Sequence, residues 1–180
     1  FRKEFLKEVD TYRFDDDVYK SLIDTDFDRE MPIEVLYRLK EWCVYIETPD
    51  FAGAHGFYAS LEHDINTKKD ELRLLIDADD GLMPIILHMG DWTVEVALEK
   101  AFGVSMSNLF MAGSTHTAGE LKAIQGGLIE WQARVAKHCL SLLLYLCSDE
   151  PDINPVGGEL PERTKPKKTK KGWQFFPPAK

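Results

Sequence analysis

Four short segments in which apolar and polar residues alternate follow one another between residues 42 and 89. Successive side chains of a strand point to opposite faces, so this alternation predicts β-strands that are buried on one side. Asp80-Gly81 lies between the last two segments and is a strong hairpin signal, because both residue types tolerate positive φ. The run therefore predicts an antiparallel meander of four strands. Its segments are Trp42–Thr48, Gly56–Asp64, Glu71–Asp77 and Leu82–Met89.

Prolines limit two of these strands. Pro49 and Gly53 are expected to end the first strand. Pro84 interrupts the fourth segment and cannot donate a hydrogen bond to a ladder. We therefore expect Pro84 at a sheet edge, at the start of a strand or at a bulge.

Helical spacing of apolar residues flanks the meander on both sides. After it, Asp91 is the predicted N-cap of one helix. The longest periodic segment, Glu120–Cys147, is apolar almost all round in its second half, and Gly126-Gly127 is a candidate interruption. A helix of this kind is buried, most economically against one face of the meander. Shorter helices are expected before the meander, at Asp15–Asp24 and Ile33–Leu39.

These elements predict an α+β fold, in which an antiparallel four-strand meander packs against a long C-terminal helix, with smaller helices added. A chain of 180 residues suits one domain, which we place at residues 1–153. Residues 154–180 are rich in Pro and Lys and predict a tail.

Charge is distributed unevenly along the chain. It has 22 Lys or Arg against 31 Asp or Glu, a net charge of −9, yet seven of the bases and none of the acids lie from Arg163 onward. The remainder therefore has 15 bases against 31 acids, a net charge of −16. An acidic body repels duplex DNA and attracts basic partners.

The location of the protein can be predicted from its apolar runs. The longest, Cys139–Cys147, is far shorter than the ~20 residues needed to cross a bilayer. No segment near the start resembles a secretory signal. We expect a soluble protein of the bacterial host cytoplasm with no membrane partner; the oligomeric state is not predicted.

Few residues indicate catalysis. There is no GxSxG, P-loop or GxGxxG motif, the five histidines lack a zinc-like spacing, and Cys43 is expected to pack in a strand. Asp77, Asp79 and Asp80 could bind a divalent cation, which would suit a hydrolase, or could support their own turn through backbone hydrogen bonds. The turn is favoured, so no enzyme, cofactor or metal site is predicted.

The outward side of the meander mixes aromatic and acidic side chains. Exposed aromatics surrounded by charge are typical of protein-binding patches. One helix covers only one face of the sheet, so this side is either open to a partner peptide or covered by a second helix. The predicted peptide-binding residues are Tyr45, Glu47, Tyr58, Glu62, Arg73 and Asp77, with Leu75 on the same side.

The tail offers an alternative function. Arg163 to Lys171 reads RTKPKKTKK and is followed by GWQFF, a basic and aromatic composition found in nucleic-acid contacts. A solvated linker has the same composition. The residues that would contact RNA or the ribosome are Arg163, Lys165, Lys167, Lys168, Lys170 and Lys171.

Two segments together carry a family resemblance. LKEWCVYIETP, from Leu39 to Pro49, resembles an L-x-x-W-C-V-Y strand, and LLLYLCSDEPDI, from Leu142 to Ile153, resembles an L-x-L-C-x-x-E-P-D-I helix end. Their order and separation also agree with a family of phage- and plasmid-borne proteins that includes a large type V-A anti-CRISPR protein.

The resemblance implies an inhibitor rather than an enzyme. Its target would be the N-terminal polypeptide of the type V-A CRISPR effector nuclease, recognised during synthesis, with loss of the effector's messenger RNA. An acidic body suits a target segment that carries Lys and Arg. Family chains continue past the tail into a basic C-terminal region that this sequence lacks, which bears on any step directed at RNA or the ribosome.

Overall fold

A computed structural model describes residues 9–25, 28, 30–39, 43–109, 118–153, 167–169 and 172–174, with side chains described for all of these except 103–109, 118–125, 167–169 and 172–174. Its centre is a five-stranded sheet in the order β1-β2-β3-β4-β5. The strands are β1 (Asp10–Arg13), β2 (Cys43–Phe51), β3 (Ala54–Asp64), β4 (Lys69–Ala78) and β5 (Gly81–His88).

The predicted α+β fold and its meander are confirmed, with one strand more than expected. β2 to β5 pair antiparallel in chain order, and among the described strands β5 with Pro84 forms an edge, as predicted. The additional strand is β1, which pairs parallel to β2 with Asp10 opposite Val44 and Tyr12 opposite Ile46.

Four helical segments accompany the sheet in the described part of the chain. They are α1 (Asp16–Asp24), a 3-10 helix (Ile33–Arg38), α2 (Val94–Leu109) and α3 (Ala118–Leu146). The expected short helices are thus present. α3 continues without interruption through Gly126 and Gly127.

The start of α2 differs from the expectation. Asp91 lies three residues before Val94, the first helical residue, and does not cap it. Instead, the backbone N–H of Val96 donates to the hydroxyl of Thr93 at 3.3 Å. The hydroxyl of Thr93 therefore accepts one of the N–H groups that a helix start leaves without a partner.

The first strand also runs further than predicted. β2 continues through Pro49 to Phe51, and the pairing with β3 is irregular between Glu47 and Phe51. A proline is tolerated where the ladder is already broken. The turn that follows places Ala52 at φ 55° and Gly53 at φ 82°, the positive values that a tight hairpin turn requires.

One face of the sheet and α3 form the main core. Its central side chains include Val44, Phe57 and Leu74 from the strands and Leu140 and Leu143 from the helix, each at most 1% exposed. Trp42, which the alternation placed beside Val44, lies outside the described residues. α3 therefore covers one face, as predicted, and leaves the opposite face for other contacts.

The tail contains a small hairpin. β6 (Lys167–Thr169) pairs antiparallel with β7 (Gly172–Gln174). Arg163, Lys165, Lys170 and Lys171 lie outside the described residues. Within the described part of the chain, no helix is long and apolar enough to span a membrane.

Candidate peptide-binding face

The sheet face opposite α3, here called the outer face, carries every residue that the sequence predicted for peptide binding. Alternation along the strands places these residues on one side, because their neighbours Val44, Phe57 and Leu74 face the core. Cross-strand pairing brings Tyr45 opposite Tyr58, and Tyr58 opposite Leu75. The structure therefore brings the six residues onto one surface, although their exposure differs.

Tyr45 joins three strands on the outer face. It is 4% exposed, and its hydroxyl donates to the Asp77 carboxylate at 3.1 Å. To reach Asp77, the ring passes over Gly56 of β3, where an added Cβ would lie 2.5 Å from the tyrosine hydroxyl oxygen. Glycine at position 56 thus makes room for this hydrogen bond between β2 and β4.

A small second core surrounds Tyr45. It contains Val9, Cys43, Tyr45 and Tyr58, with Leu75 packed against it. The two tyrosine rings lie 4.7 Å apart between centroids and are tilted by 49°. Tyr58 is 7% exposed and Asp77 is 6% exposed, so these two residues and Tyr45 shape the outer face from beneath rather than projecting from it.

Burial also fixes the state of Cys43. It raises the pKa of the thiol to about 11, and the nearby carboxylate of Glu62 adds to this rise. A thiol with a raised pKa is protonated at neutral pH and is a poor nucleophile. Cys43 is buried in the second core, in agreement with the packing role expected from its strand position.

Charged residues form the accessible part of the outer face. The Arg73 guanidinium bonds the Glu62 carboxylate at 2.9 Å and the Glu71 carboxylate at 3.2 Å. The Arg73 and Glu62 side chains are more than 40% exposed, whereas that of Glu71 is only 5% exposed. His88 Nδ1 lies 3.4 Å from the other Glu71 oxygen. Two carboxylates thus share one guanidinium, which leaves this cluster acidic.

At the opposite edge, Glu47 pairs with a residue that sequence reasoning did not select. The Arg13 guanidinium donates to the Glu47 carboxylate at 2.6 Å, with both side chains exposed. The parallel pairing of β1 with β2 produces this contact by placing Arg13 opposite Glu47. No local pattern in the sequence indicates a parallel partner at that distance along the chain.

The candidate cation site is divided between separate contacts. Asp77 faces Tyr45, whereas Asp79 at the hairpin turn bonds His55 Nε2 at 2.7 Å. Among the described residues, no group of three or more His, Cys, Asp or Glu side chains could hold a metal ion. The carboxylates of Asp77 and Asp79 therefore bond different partners, and the described residues give the hydrolase alternative no positive support.

Leu82 and Ile86 on β5 are functional candidates that the sequence did not reveal. They are 49% and 41% exposed on the outer face. The segment LMPIILHM is apolar at almost every position, so its alternation could not show which side chains face solvent. The pairing of Ile86 with Arg73 and of Leu82 with Asp77 assigns both to the outer face.

The chain is similar to a known fold and a known family. A solved structure described as the crystal structure of AcrVA2 matches it with a TM-score of 0.52 and 22% identity, covering 95% of this chain and 54% of that one. The chain therefore spans about half the length of that relative. No curated protein sequence matches significantly. The model of the AcrVA2-like family, described as the anti-CRISPR type V subtype A2 family, matches residues 12–180, so the chain belongs to that family.

Proposed function

We propose that the protein inhibits a type V-A CRISPR effector by binding the effector's N-terminal polypeptide as it is synthesised, which lowers the effector's expression. The family match over residues 12–180 carries this proposal, because the family is one of type V-A inhibitors. The protein would act in the cytoplasm of the bacterial host, encoded by a phage or plasmid, and without enzymatic chemistry of its own.

The outer face supports recognition of a basic peptide. Glu47 and Glu62 expose 44% and 41% of their side chains there. Two carboxylates share the positive charge of Arg73, so the cluster keeps a net negative charge that attracts an incoming cation. The buried Tyr45, Tyr58 and Asp77 fix the shape of the surface through their hydrogen bond and ring contact. Carboxylates at such a site attract Lys and Arg of a peptide over long range. In the complex they favour a basic peptide over an acidic one, because like charges across an interface repel.

Calorimetry with a synthetic peptide of the effector's N-terminus tests the binding step. We expect binding that weakens as salt is raised, since charge pairs at an exposed surface are screened. A peptide of the same composition in scrambled order is the matched control. Double substitution Glu47→Gln and Glu62→Gln should weaken binding about tenfold. Absence of measurable heat with the native peptide at high concentration would count decisively against the proposal.

Recoding the effector gene separates peptide recognition from RNA recognition. Synonymous codons over the N-terminal segment preserve the peptide and change the messenger RNA. Under the proposal, both versions lose protein and messenger RNA equally when the inhibitor is co-expressed. A shuffled peptide segment should escape, and escape of the synonymous version instead would point to direct recognition of RNA.

A second candidate, association with RNA or the ribosome, is favoured by the composition of the tail. From Arg163 onward there are seven basic and no acidic residues. β6 and β7 place Lys167 and Lys168 on a short hairpin, and strand pairs of this kind can present basic side chains to phosphates. Replacement of the basic residues of the tail by serine distinguishes this activity from peptide binding.

A further inference from the structure

The exposed apolar surface of the sheet is concentrated on β5. Leu82, Pro84 and Ile86 are all exposed, and they occupy alternate positions on the outer face. Leu75 of β4 lies opposite Pro84 and is half-buried, so the apolar strip is two strands wide at its middle. Contiguous exposed apolar surface is characteristic of interaction sites.

Backbone hydrogen-bonding groups of the same residues point away from β4, towards the free side of β5. Ala78 pairs with Gly81 across a two-residue turn, a pairing that requires these two residues to exchange hydrogen bonds. At the other end, the Met89 N–H donates to the Asp70 carbonyl at 2.8 Å. Both pairs agree with the alternation of hydrogen-bonded and non-hydrogen-bonded pairs along an antiparallel ladder. It follows that the N–H and C=O groups of Leu82 and Ile86, and the C=O of Pro84, point away from β4.

The limits of this open edge are defined by its neighbours. The Trp92 indole N–H donates to the His88 carbonyl at 3.1 Å and so occupies the next outward-facing acceptor. α2 packs against β5, and its Val94 and Ala97 lie in the core. Within the described residues, no strand pairs with the free side of β5. The accessible part is therefore a short segment from Leu82 to Ile86.

Acidic residues surround both ends of the strip. Asp79 and Asp80 are exposed in the turn that precedes β5. At the other end, Glu62 and Glu71 outnumber Arg73, their shared partner. This arrangement matches an extended segment that has apolar residues along one side and Lys or Arg near its ends.

We propose that β5 receives such a segment, which lies along Leu82, Pro84 and Ile86 and adds to the sheet edge through backbone hydrogen bonds. The inference rests on the proposed function, whose effector peptide is the intended occupant. Main-chain bonds to an edge strand supply affinity, and alternate side chains supply specificity. A second copy of the chain suits the edge less well, because two β5 strands would bring Pro84, which lacks an N–H, and two acidic rims together.

Calorimetry on the full chain tests the inference with three probes: the effector's N-terminal peptide, a short alternating Val/Lys peptide and a matching Val/Glu peptide. The double substitution Leu82→Thr and Ile86→Thr should weaken binding of the first two about tenfold. Threonine keeps the β-propensity of both positions. The matched control is Ile65→Thr, since Ile65 is 74% exposed but lies in the β3–β4 turn; there the change should stay within about twofold.

Backbone pairing is tested on the peptide, which avoids any risk to protein folding. N-methylation removes a peptide N–H, so methylation of alternate residues on the edge facing β5 should abolish binding, and methylation of the other set should leave it intact. Equal sensitivity of both sets would overturn strand addition.

The remaining outcomes separate the two proposals. Tight binding of the effector peptide that is unaffected by Leu82→Thr and Ile86→Thr overturns the inference and leaves the proposed function standing. If the effector peptide does not bind but the Val/Lys peptide binds in a way that depends on Leu82 and Ile86, the proposed function fails and the inference stands. The inference also fails if no probe binds, if Val/Glu binds as well as Val/Lys, or if sedimentation shows a dimer that the double substitution dissociates.

Discussion

Gly56 is a position at which one added carbon would change the outer face. Its Cβ would lie 2.5 Å from the Tyr45 hydroxyl oxygen and 2.6 Å from the Ile46 carbonyl oxygen. Gly56→Ala should therefore displace Tyr45 and break its bond to Asp77. We expect a loss of about 2 kcal/mol or more in the free energy of unfolding, from overpacking and a disrupted buried hydrogen bond. Urea unfolding measures it.

Gly127→Ala is the matched control for that substitution. Gly127 is exposed on α3, and no described atom lies within 4 Å of an added Cβ. Alanine in a helix interior is favoured over glycine, so this variant should gain about 0.5–1 kcal/mol. Loss of stability in Gly127→Ala comparable to that in Gly56→Ala would contradict the steric explanation.

His138 is a buried histidine at the contact of three elements. It lies on α3, its Nε2 is 2.8 Å from the Tyr19 hydroxyl of α1, and its ring stacks on Phe51 of β2 with centroids 3.9 Å apart. Its Nδ1 is buried and finds no hydrogen-bond partner among the residues that the structure describes. Burial lowers the pKa of His138 from 6.5 to about 4, because the charged imidazolium would lose its hydration there.

The lowered pKa predicts a pH dependence of stability. Above pH 6.5 the imidazole is neutral in both states and contributes no slope; as pH falls towards 4 the unfolded chain takes up a proton that the folded chain refuses. Stability should fall over this window by roughly 3 kcal/mol through this group. Urea unfolding from pH 7 to 4 should show a correspondingly shallower fall in His138→Gln, and parallel curves for variant and native protein would contradict this.

At the scale of elements, the alternation of apolar and polar residues predicted the strands that are joined by short turns. β2 to β5 are joined by short turns, so alternation and a turn signal were sufficient to predict the meander. β1 is different, because a parallel partner needs no turn and leaves no local signature. Arg13 and its bond to Glu47 were missed for that reason.

The sequence predicted which residues share the outer face, but it did not predict how exposed each of them is. Alternation assigned Tyr45, Tyr58 and Asp77 to one face correctly, since strand geometry fixes the direction of side chains. Their burial depends on tertiary contacts, here the second core with Val9 and the space above Gly56. The exposed residues of β5 could not be predicted from the sequence, because a strand that is apolar throughout shows no alternation between a buried and an exposed face.

α3 connects the core to the turn that ends β2. The Trp131 indole N–H donates to the Ala52 carbonyl at 2.8 Å, and Arg134 approaches the Phe51 ring at 5.8 Å. With His138, one face of α3 therefore holds the β2–β3 hairpin at its tip. The outer face of that hairpin carries Tyr45 and Tyr58, so the helix supports the candidate site from the opposite side of the sheet.

At the scale of the whole molecule, charge separates the two candidate functions. The chain before Arg163 has a net charge of −16 and the whole chain one of −9. The acidic part of the chain before Arg163 attracts a basic peptide and repels RNA. The basic tail does the opposite: it repels a basic peptide and attracts RNA. One change to the tail should therefore move the two affinities in opposite directions.

Substitution of the six basic residues from Arg163 to Lys171 by serine tests this in the 180-residue chain. The variant should bind the effector peptide at least as tightly as the native protein, with a steeper dependence on salt, because −9 becomes −15. Any retention on RNA should be lost, since phosphate neutralisation supplies that affinity. Calorimetry and filter binding at several salt concentrations measure the two, and an unchanged thermal melt controls for folding. If the variant loses peptide affinity instead, the tail, rather than the outer face of the sheet, contributes the decisive contacts.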